Sequence, residues 1–377
     1  MNQFTDKGSF PHHMLKEIFE QPESLRRTIL PRVPQEERVQ LDEVRIKPDE
    51  LRSIRRINIV ASGTSRHAGM VGQYMIQELV NLPVEVDYAS EFEYRNPLIG
   101  ENELTIVITQ SGETADTTAA QREAKAKGSR TIAISNVPGS TIAREADGVL
   151  YTNAGPEISI ASTKAFSAQM AVLYLFAIYL GQIQGKLSKE KVRAHILELL
   201  ELSSKIETVL QNADVCERLA DTYRSAKDFL FLGRAIHYPI AMDGALKLKE
   251  VSYIHAEGYP TGESKHGPNA LIDENLPVVI IATCDRNDEG SLRRYEKTLA
   301  NIKSFKQQSG RVIAIATEGD EQIRMQADQT VFVPPASELL SPILEIVPLQ
   351  LFAYYMAAKL GLDVDRPRNL VKSVTRE

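Results

Sequence analysis

Short, unbroken apolar runs alternate with longer stretches of helical period along most of this chain. Ile57-Asn-Ile-Val-Ala61 and Leu104-Thr-Ile-Val-Ile108 are strand-length and lack polar alternation, as parallel strands covered on both faces do. After the second run, Ala115 to Lys127 is rich in Ala, Lys and Glu and predicts a helix closing at Gly128. Met14 to Ile29 reads as one helical stretch, followed by a polar, proline-containing lead-in. Ala165 to Leu180 is largely apolar but carries Ser167 and Gln169. It falls short of the roughly 20 residues that span a bilayer, so a buried core or interface helix is expected.

The pattern is written twice. Ile57 to Gly63 has its counterpart in Asp228 to Gly233, Leu104 to Thr109 in Leu276 to Thr283, and Gly128 to Ile134 in Gly310 to Ile315. Ile142-Ala-Arg-Glu-Ala-Asp147 pairs with Ile323-Arg-Met-Gln-Ala-Asp328, and each copy ends in a long apolar helix. Strands alternating with helices in two copies of about 140 to 150 residues predict two doubly wound α/β sandwiches. Between the copies, a charged stretch with Leu197, Leu199, Leu200, Ile206 and Leu210 at helical spacing reads as a helical bridge.

Composition narrows the class without changing the fold. The 377 residues are 43% hydrophobic and 25% charged, with a net charge of -6. Interspersed charges of that balance give no reason to expect nucleic acid or a membrane surface as partner. Cys216 and Cys284 make neither a disulfide framework nor a zinc motif. With no apolar leader at the N-terminus, a cytoplasmic enzyme is expected. His12 and His13 have no clear third ligand, and neither a metal nor a cofactor is expected.

The candidate chemistry begins at Thr109-Gln-Ser-Gly-Glu-Thr114, between the second strand and its helix. Main-chain N–H groups at a helix start and nearby hydroxyls can all donate to one phosphate. The turn has no Lys and fits neither the P-loop nor the dinucleotide fingerprint, which favours a phosphate on a small molecule. An ordinary capped helix fits the local pattern equally well. The second copy has Thr283-Cys-Asp-Arg-Asn-Asp288 at the same place, and two Asp side chains there would repel a phosphate. One phosphosugar site per chain, in the first copy, follows.

Several longer stretches carry a resemblance. Gly63-Thr-Ser65, Thr109 to Thr117, Ala161-Ser-Thr-Lys-Ala-Phe166, Gly244 to Glu250, Tyr253-Ile-His-Ala-Glu257 and Lys265-His-Gly-Pro268 resemble the sugar isomerase (SIS) domain. More closely, the chain resembles the isomerase half of the glucosamine-6-phosphate synthases, the isomerizing glutamine–fructose-6-phosphate aminotransferases. The start, Asp6 to Pro22, is similar to the linker before that half, and Asp363 to Thr375 is similar to its tail.

The resemblance implies two tandem SIS domains, each a doubly wound, mostly parallel sheet flanked by helices. The expected divisions are a helical lead-in at 1–50, a first SIS domain with the phosphosugar site at 51–190, and a bridge at 191–222. A second SIS domain at 223–362 and a site-closing tail at 363–377 complete the chain. The implied reaction converts fructose 6-phosphate to glucosamine 6-phosphate. The expected partners are a hexose 6-phosphate, a second copy of the chain sharing the active site, and a glutaminase domain or free ammonia. Met1 is followed by Asn2, not by the Cys nucleophile of a glutaminase domain, so either the isomerase half alone or a stand-alone enzyme using or releasing free ammonia is expected. A stand-alone glucosamine-6-phosphate deaminase releasing ammonia and a non-catalytic sugar-phosphate sensor are the competing readings.

Residue by residue, the family's phosphate loop maps onto Thr109, Gln110, Ser111 and Thr114, with Thr64 and Ser65 beside the sugar. Ser162 and the main chain near Ile160 and Val371 match contacts to sugar hydroxyls. Glu250 matches the base that moves a proton between C1 and C2. Lys247, three residues earlier on the same helix face, is placed to support its charge; by spacing alone a surface ion pair is the commoner reading. His266 matches the ring-opening acid/base and belongs to a loop that crosses a dimer interface. Lys372 matches the amine that forms a Schiff base with the open-chain ketose. Arg366, Arg368 and Lys247 are expected to supply positive charge near that amine. Asp243, where the synthases carry Glu, departs from the family pattern and bears on water or amine placement. His255 is expected to pack or hydrogen-bond rather than react.

Overall fold

The computed structural model describes residues 6–375. Its backbone is two five-stranded sheets with every strand pairing parallel. The first holds β1 (Arg56–Ala61), β2 (Val84–Tyr88), β3 (Glu103–Thr109), β4 (Arg130–Ser135) and β5 (Gly148–Tyr151) in the order β2-β1-β3-β4-β5. The second holds β6 (Asp228–Gly233), β7 (His255–Pro260), β8 (Pro277–Ala282), β9 (Arg311–Thr317) and β10 (Gln329–Val333) in the order β10-β9-β8-β6-β7. Read within each copy, both orders are the same winding, so the repeat in the sequence is a repeat of topology. In each sheet the order reverses between the first and third strands of the copy, and the crevice beyond their carboxyl ends is where such folds bind ligands.

The apolar runs become strands for the expected reason: β1 from Ile57 and all of β8 are buried. The apolar helix of the first copy, Lys164–Ile183, is 20 residues long, longer than the sixteen read from the pattern. By length and hydropathy it is the one helix among the described residues able to cross a membrane, yet 83% of its most apolar window is buried within the protein. It packs on the helix Gly63–Val80. A Cβ on Gly72 would stand 2.9 Å from Leu173 Cδ1, so a larger residue there would push the Leu173 side chain aside.

One helical reading needs correction. Met14 to Ile29 is not one helix but two, His13–Phe19 and Gln21–Ile29. Pro22 has no N–H to offer the Ile18 carbonyl one turn back, and the Gln21 side chain donates to that oxygen instead, at 3.0 Å. The bridge between the copies is helical as expected, in two helices, Lys189–Gln211 and Ala213–Tyr223. Leu199 and Ile206 are fully buried, but Leu197 is 41% exposed.

By internal packing the residues form two units, each discontinuous in sequence. One comprises 6–22, 158–163 and 202–370 and contains the second sheet. The other comprises 23–157, 164–201 and 371–375 and contains the first sheet.

At the strand-order reversal of the second sheet lies a buried polar cluster that the sequence did not reveal. His237, fully buried just beyond β6, faces Glu345 through Nδ1 at 2.9 Å and Glu338 through Nε2 at 3.0 Å. Arg294 grips Glu338 with two bonds of 2.6 and 2.9 Å, and Thr283, just beyond β8, donates to Glu345. Burial and Arg294 oppose charge on the imidazole, but the two carboxylates outweigh them and raise its pKa. Glu338 is held well below the usual carboxylate range by His237 and Arg294 despite burial.

The sign follows from both shifts. The His237 contribution is complete below its unfolded pKa near 6.5 and is lost as pH rises through the raised folded value. The Glu338 contribution is complete above its unfolded value near 4.5 and is lost toward acid. His237→Gln is expected to destabilise this unit by about 3–5 kcal/mol, the cost of breaking a buried pair. Melting curves of the variant should also lose the wild-type decline above pH 6.5; an unchanged pH profile would show that the imidazole is not charged in the fold.

Candidate active site

Between β3 and the helix Ala115–Ala126, residues 110–114 form a turn whose hydroxyls converge. Thr109 Oγ1 and Thr114 Oγ1 are 3.0 Å apart, and Thr109 Oγ1 accepts the Gly112 N–H at 3.3 Å. Gly112 has a φ of +72°, and a Cβ there would stand 2.0 Å from Ser140 Oγ, so the turn demands glycine twice over. Glu113 buttresses the turn from outside, accepting the Thr141 N–H and hydroxyl, each at 2.8 Å. Those two bonds lower its pKa, so the loop-fixing carboxylate stays charged. Thr114, the N-cap residue, makes no side-chain cap bond. Its hydroxyl turns toward Thr109 instead, which an ordinary capped helix would not do.

The sugar-side residues Thr64 and Ser65 open the helix beyond β1, on the other flank of the strand-order reversal. Gln169 orients Ser65, donating to its hydroxyl at 3.0 Å. Residues 371–375 also belong to this unit. The Val374 carbonyl accepts the Ala115 N–H at 3.1 Å, and the Ser373 and Ser111 hydroxyls lie 2.9 Å apart. Lys372, one residue earlier, donates from Nζ to Glu157 Oε2 at 2.7 Å. The amine and the hydroxyl-lined turn are therefore held in one unit by successive tail residues.

Arg366, Arg368 and Lys247, the cations expected near Lys372, belong to the other unit. Arg368 lies in the other unit, its guanidinium 4.2 Å from the centroid of the Tyr253 ring and its N–H donated to the Tyr253 hydroxyl at 2.8 Å. Lys247 is in that unit too and pairs with Glu250. Within its own unit, Lys372 pairs with the carboxylate of Glu157.

In the unit of the second sheet, the helix Tyr238–Ser252 carries Lys247 fully buried and donating to Glu250 Oε2. Glu250 keeps 22% of its side chain exposed. The pair is thus not the surface ion pair that spacing alone allowed: the ammonium is sunk and the carboxylate presents one edge outward. Asp243, one turn earlier, is also fully buried. Ser162 and Ile160 belong to this unit; the Ile160 N–H is donated to the Asp365 carbonyl at 3.1 Å, leaving main-chain contacts to a ligand there to its carbonyl.

His266 ends a short 3-10 turn, is exposed, and hydrogen-bonds to neither Lys247 nor Glu250. His12 contacts the Tyr354 hydroxyl at 2.9 Å, and His255 bonds Asp228 across β6 and β7 at 2.8 Å. Both cysteines are buried, with burial pushing Cys216 up to about 12 and raising Cys284.

The second copy's turn is already occupied by the protein. Asp288 caps the helix Glu289–Gln307, accepting from the Ser291 N–H, so the donors that would meet a phosphate face a carboxylate. Sequence reasoning missed Glu157, Glu113 and Gln169. Glu113 lies inside the recognised motif; the other two carry no local signal.

The SIS domain family profile matches residues 50–179 and 222–360. The chain is 50% identical over 373 residues to the glutamine–fructose-6-phosphate aminotransferase (isomerizing) of Chlorobaculum tepidum, covering 99% of this chain and 59% of that protein. Among solved structures it is similar to the C-terminal domain of glucosamine-fructose-6-phosphate aminotransferase from Francisella tularensis, with a TM-score of 0.89 and 35% identity. That match covers 96% of this chain and 99% of the other. The glucosamine-6-phosphate deaminase of Thermotoga maritima, at a TM-score of 0.72 and 22% identity over 96% of this chain and 99% of that one, shares the fold. With one match in each half and a close counterpart along nearly its whole length, the chain belongs to the SIS domain family.

Proposed function

We propose that this chain converts fructose 6-phosphate to glucosamine 6-phosphate, the reaction of the aminotransferases it resembles. The observation that carries the reading is Lys372. Its primary amine belongs to the same unit as the phosphate turn, on a tail whose next two residues bond to that turn. Thr109, Gln110, Ser111 and Thr114 take the phosphate, Thr64 and Ser65 the sugar beside it, and Ser162, Ile160 and Val371 its hydroxyls. His266 opens the ring, Lys372 condenses with the C2 ketone, and Glu250 carries the proton between C2 and C1 with Lys247 steadying its charge.

The chain acts as a homodimer in which the exposed His266 completes the partner's site. Ammonia comes from a glutaminase domain or from solution, and the enzyme works in the cytoplasm. A sensor would need only the anion turn. A buried lysine under a partly exposed glutamate is an arrangement for proton transfer. Against the deaminase reading stand 50% identity to an isomerizing aminotransferase and only a shared fold with the deaminase.

The double variant Ser111→Ala, Thr114→Ala tests the anion site. Each hydroxyl donated to a charged group is worth about 1.5–3 kcal/mol, so affinity for fructose 6-phosphate by calorimetry should fall at least tenfold. A loss below twofold would remove the turn from the site. Thr283 is no neutral control, because it is buried and bonded to Glu345.

A further inference from the structure

We propose that Glu157 is the proton acceptor for Lys372, and so a further catalytic residue of the site; the inference rests on the imine reading above. The Glu157 side chain is fully buried, while that of Lys372 is 26% exposed. One carboxylate oxygen accepts the Ala165 N–H at 3.1 Å, at the start of the helix Lys164–Ile183; the other accepts Lys372 Nζ at 2.7 Å. A helix N-terminus favours a carboxylate at that place, so Glu157 is anchored from behind and faces the amine in front. Lys372 itself sits on a segment with no helix or strand. The buried carboxylate therefore sets where the amine rests.

The chemistry needs such a partner. A lysine ammonium has no lone pair, and condensation cannot begin until its proton leaves. In the proposed step Glu157 takes one proton from Nζ, and the freed nitrogen lone pair forms a bond to the ketone carbon. A second proton passes from nitrogen to the former ketone oxygen, giving a neutral carbinolamine. Protonated Glu157 then gives its proton to that hydroxyl, the C–O bond breaks and water leaves. The product is a protonated imine and the carboxylate is restored. The ammonium's three hydrogens are accounted for as one on the imine and two in the water, and the net charge is unchanged.

The test compares wild type, Glu157→Gln and Glu157→Asp. Gln keeps the size and the hydrogen bond from Ala165 but cannot take a proton. Asp keeps the acid but withdraws it by a methylene. Two readouts are needed: affinity for fructose 6-phosphate by calorimetry, and the rate at which borohydride fixes fructose 6-phosphate to Lys372, located by peptide mass mapping. For Glu157→Gln, affinity should stay within about threefold while the trapping rate falls by about 10²–10⁴, the range for general acid–base catalysis. Glu157→Asp should recover part of the rate.

Equal trapping rates in wild type and Glu157→Gln would overturn the proposal. So would a loss of affinity matching the loss of rate, which would make Glu157 a packing residue. If wild type itself is not trapped while it turns over, the imine reading fails and takes this step with it. A Glu157→Gln chain that does not fold leaves Glu157→Asp to decide: slow trapping with intact affinity supports the step, and a wild-type rate overturns it.

Discussion

Replacing Lys372 by Arg is expected to abolish conversion of fructose 6-phosphate while leaving the fold and phosphate binding in place. Arg keeps a positive charge against Glu157, whose buried carboxylate would otherwise lose a partner, and breaking a buried pair carries its own cost. A guanidinium is protonated at every pH a protein survives, so it cannot form the imine. Turnover should fall by at least about 10³-fold, the loss expected when a covalent step is removed from a site that retains its binding groups. No borohydride adduct should form. Lys372→Ala should lose the adduct equally and melt at lower temperature than the Arg variant. If Arg retained even a tenth of wild-type activity, the tail lysine would be a closing latch, and transfer would run through His266 and Glu250 alone.

The second large effect belongs to Glu250. Glu250→Gln removes the group proposed to carry the proton while keeping shape and a hydrogen bond from Lys247, so kcat should fall about 10²–10⁴-fold with little change in KM. Exchange of solvent deuterium into the sugar should fall in parallel. The same variant tests the assembly. Mixed and allowed to exchange subunits, Glu250→Gln and His266→Ala chains should regain activity, because hybrid dimers hold one site with both groups intact. No recovery in demonstrably mixed dimers would place both residues in a single chain's site.

The sheets were readable because parallel strands buried on both faces leave unbroken apolar runs, and the duplicated winding gave each run a second witness. The hydroxyl-lined turn was readable for a related reason: its residues lie within six positions between a strand and a helix. Glu250 and Lys247 were visible as a pair three residues apart, but only burial distinguishes a sunk ammonium from a surface ion pair. Glu157 was invisible. It stands alone between Pro156 and Ile158, and its partner lies 215 positions later, a separation at which no local pattern survives. The contact of Arg368 with Tyr253 was equally hidden, since the two are 115 positions apart in sequence. The single N-terminal helix failed on one proline, whose missing N–H the pattern of apolar positions does not register.

The two copies treat the same crevice in opposite ways. In one, hydroxyls converge on the turn beyond β3; in the other, Glu338 sits between Arg294 and His237 much as a bound anion would. The protein has thus supplied its own permanent ligand to half of its duplicated architecture. Active sites ordinarily tax the stability of the domain that carries them, because groups poised for a substrate stay imperfectly satisfied without it. A duplicated fold relaxes that conflict: one copy is free to evolve toward chemistry while its twin, internally saturated, evolves toward robustness. Directed evolution of new sugar specificity in such a chain can therefore concentrate on the crevice beyond β1 and β3, with stabilising changes sought around His237.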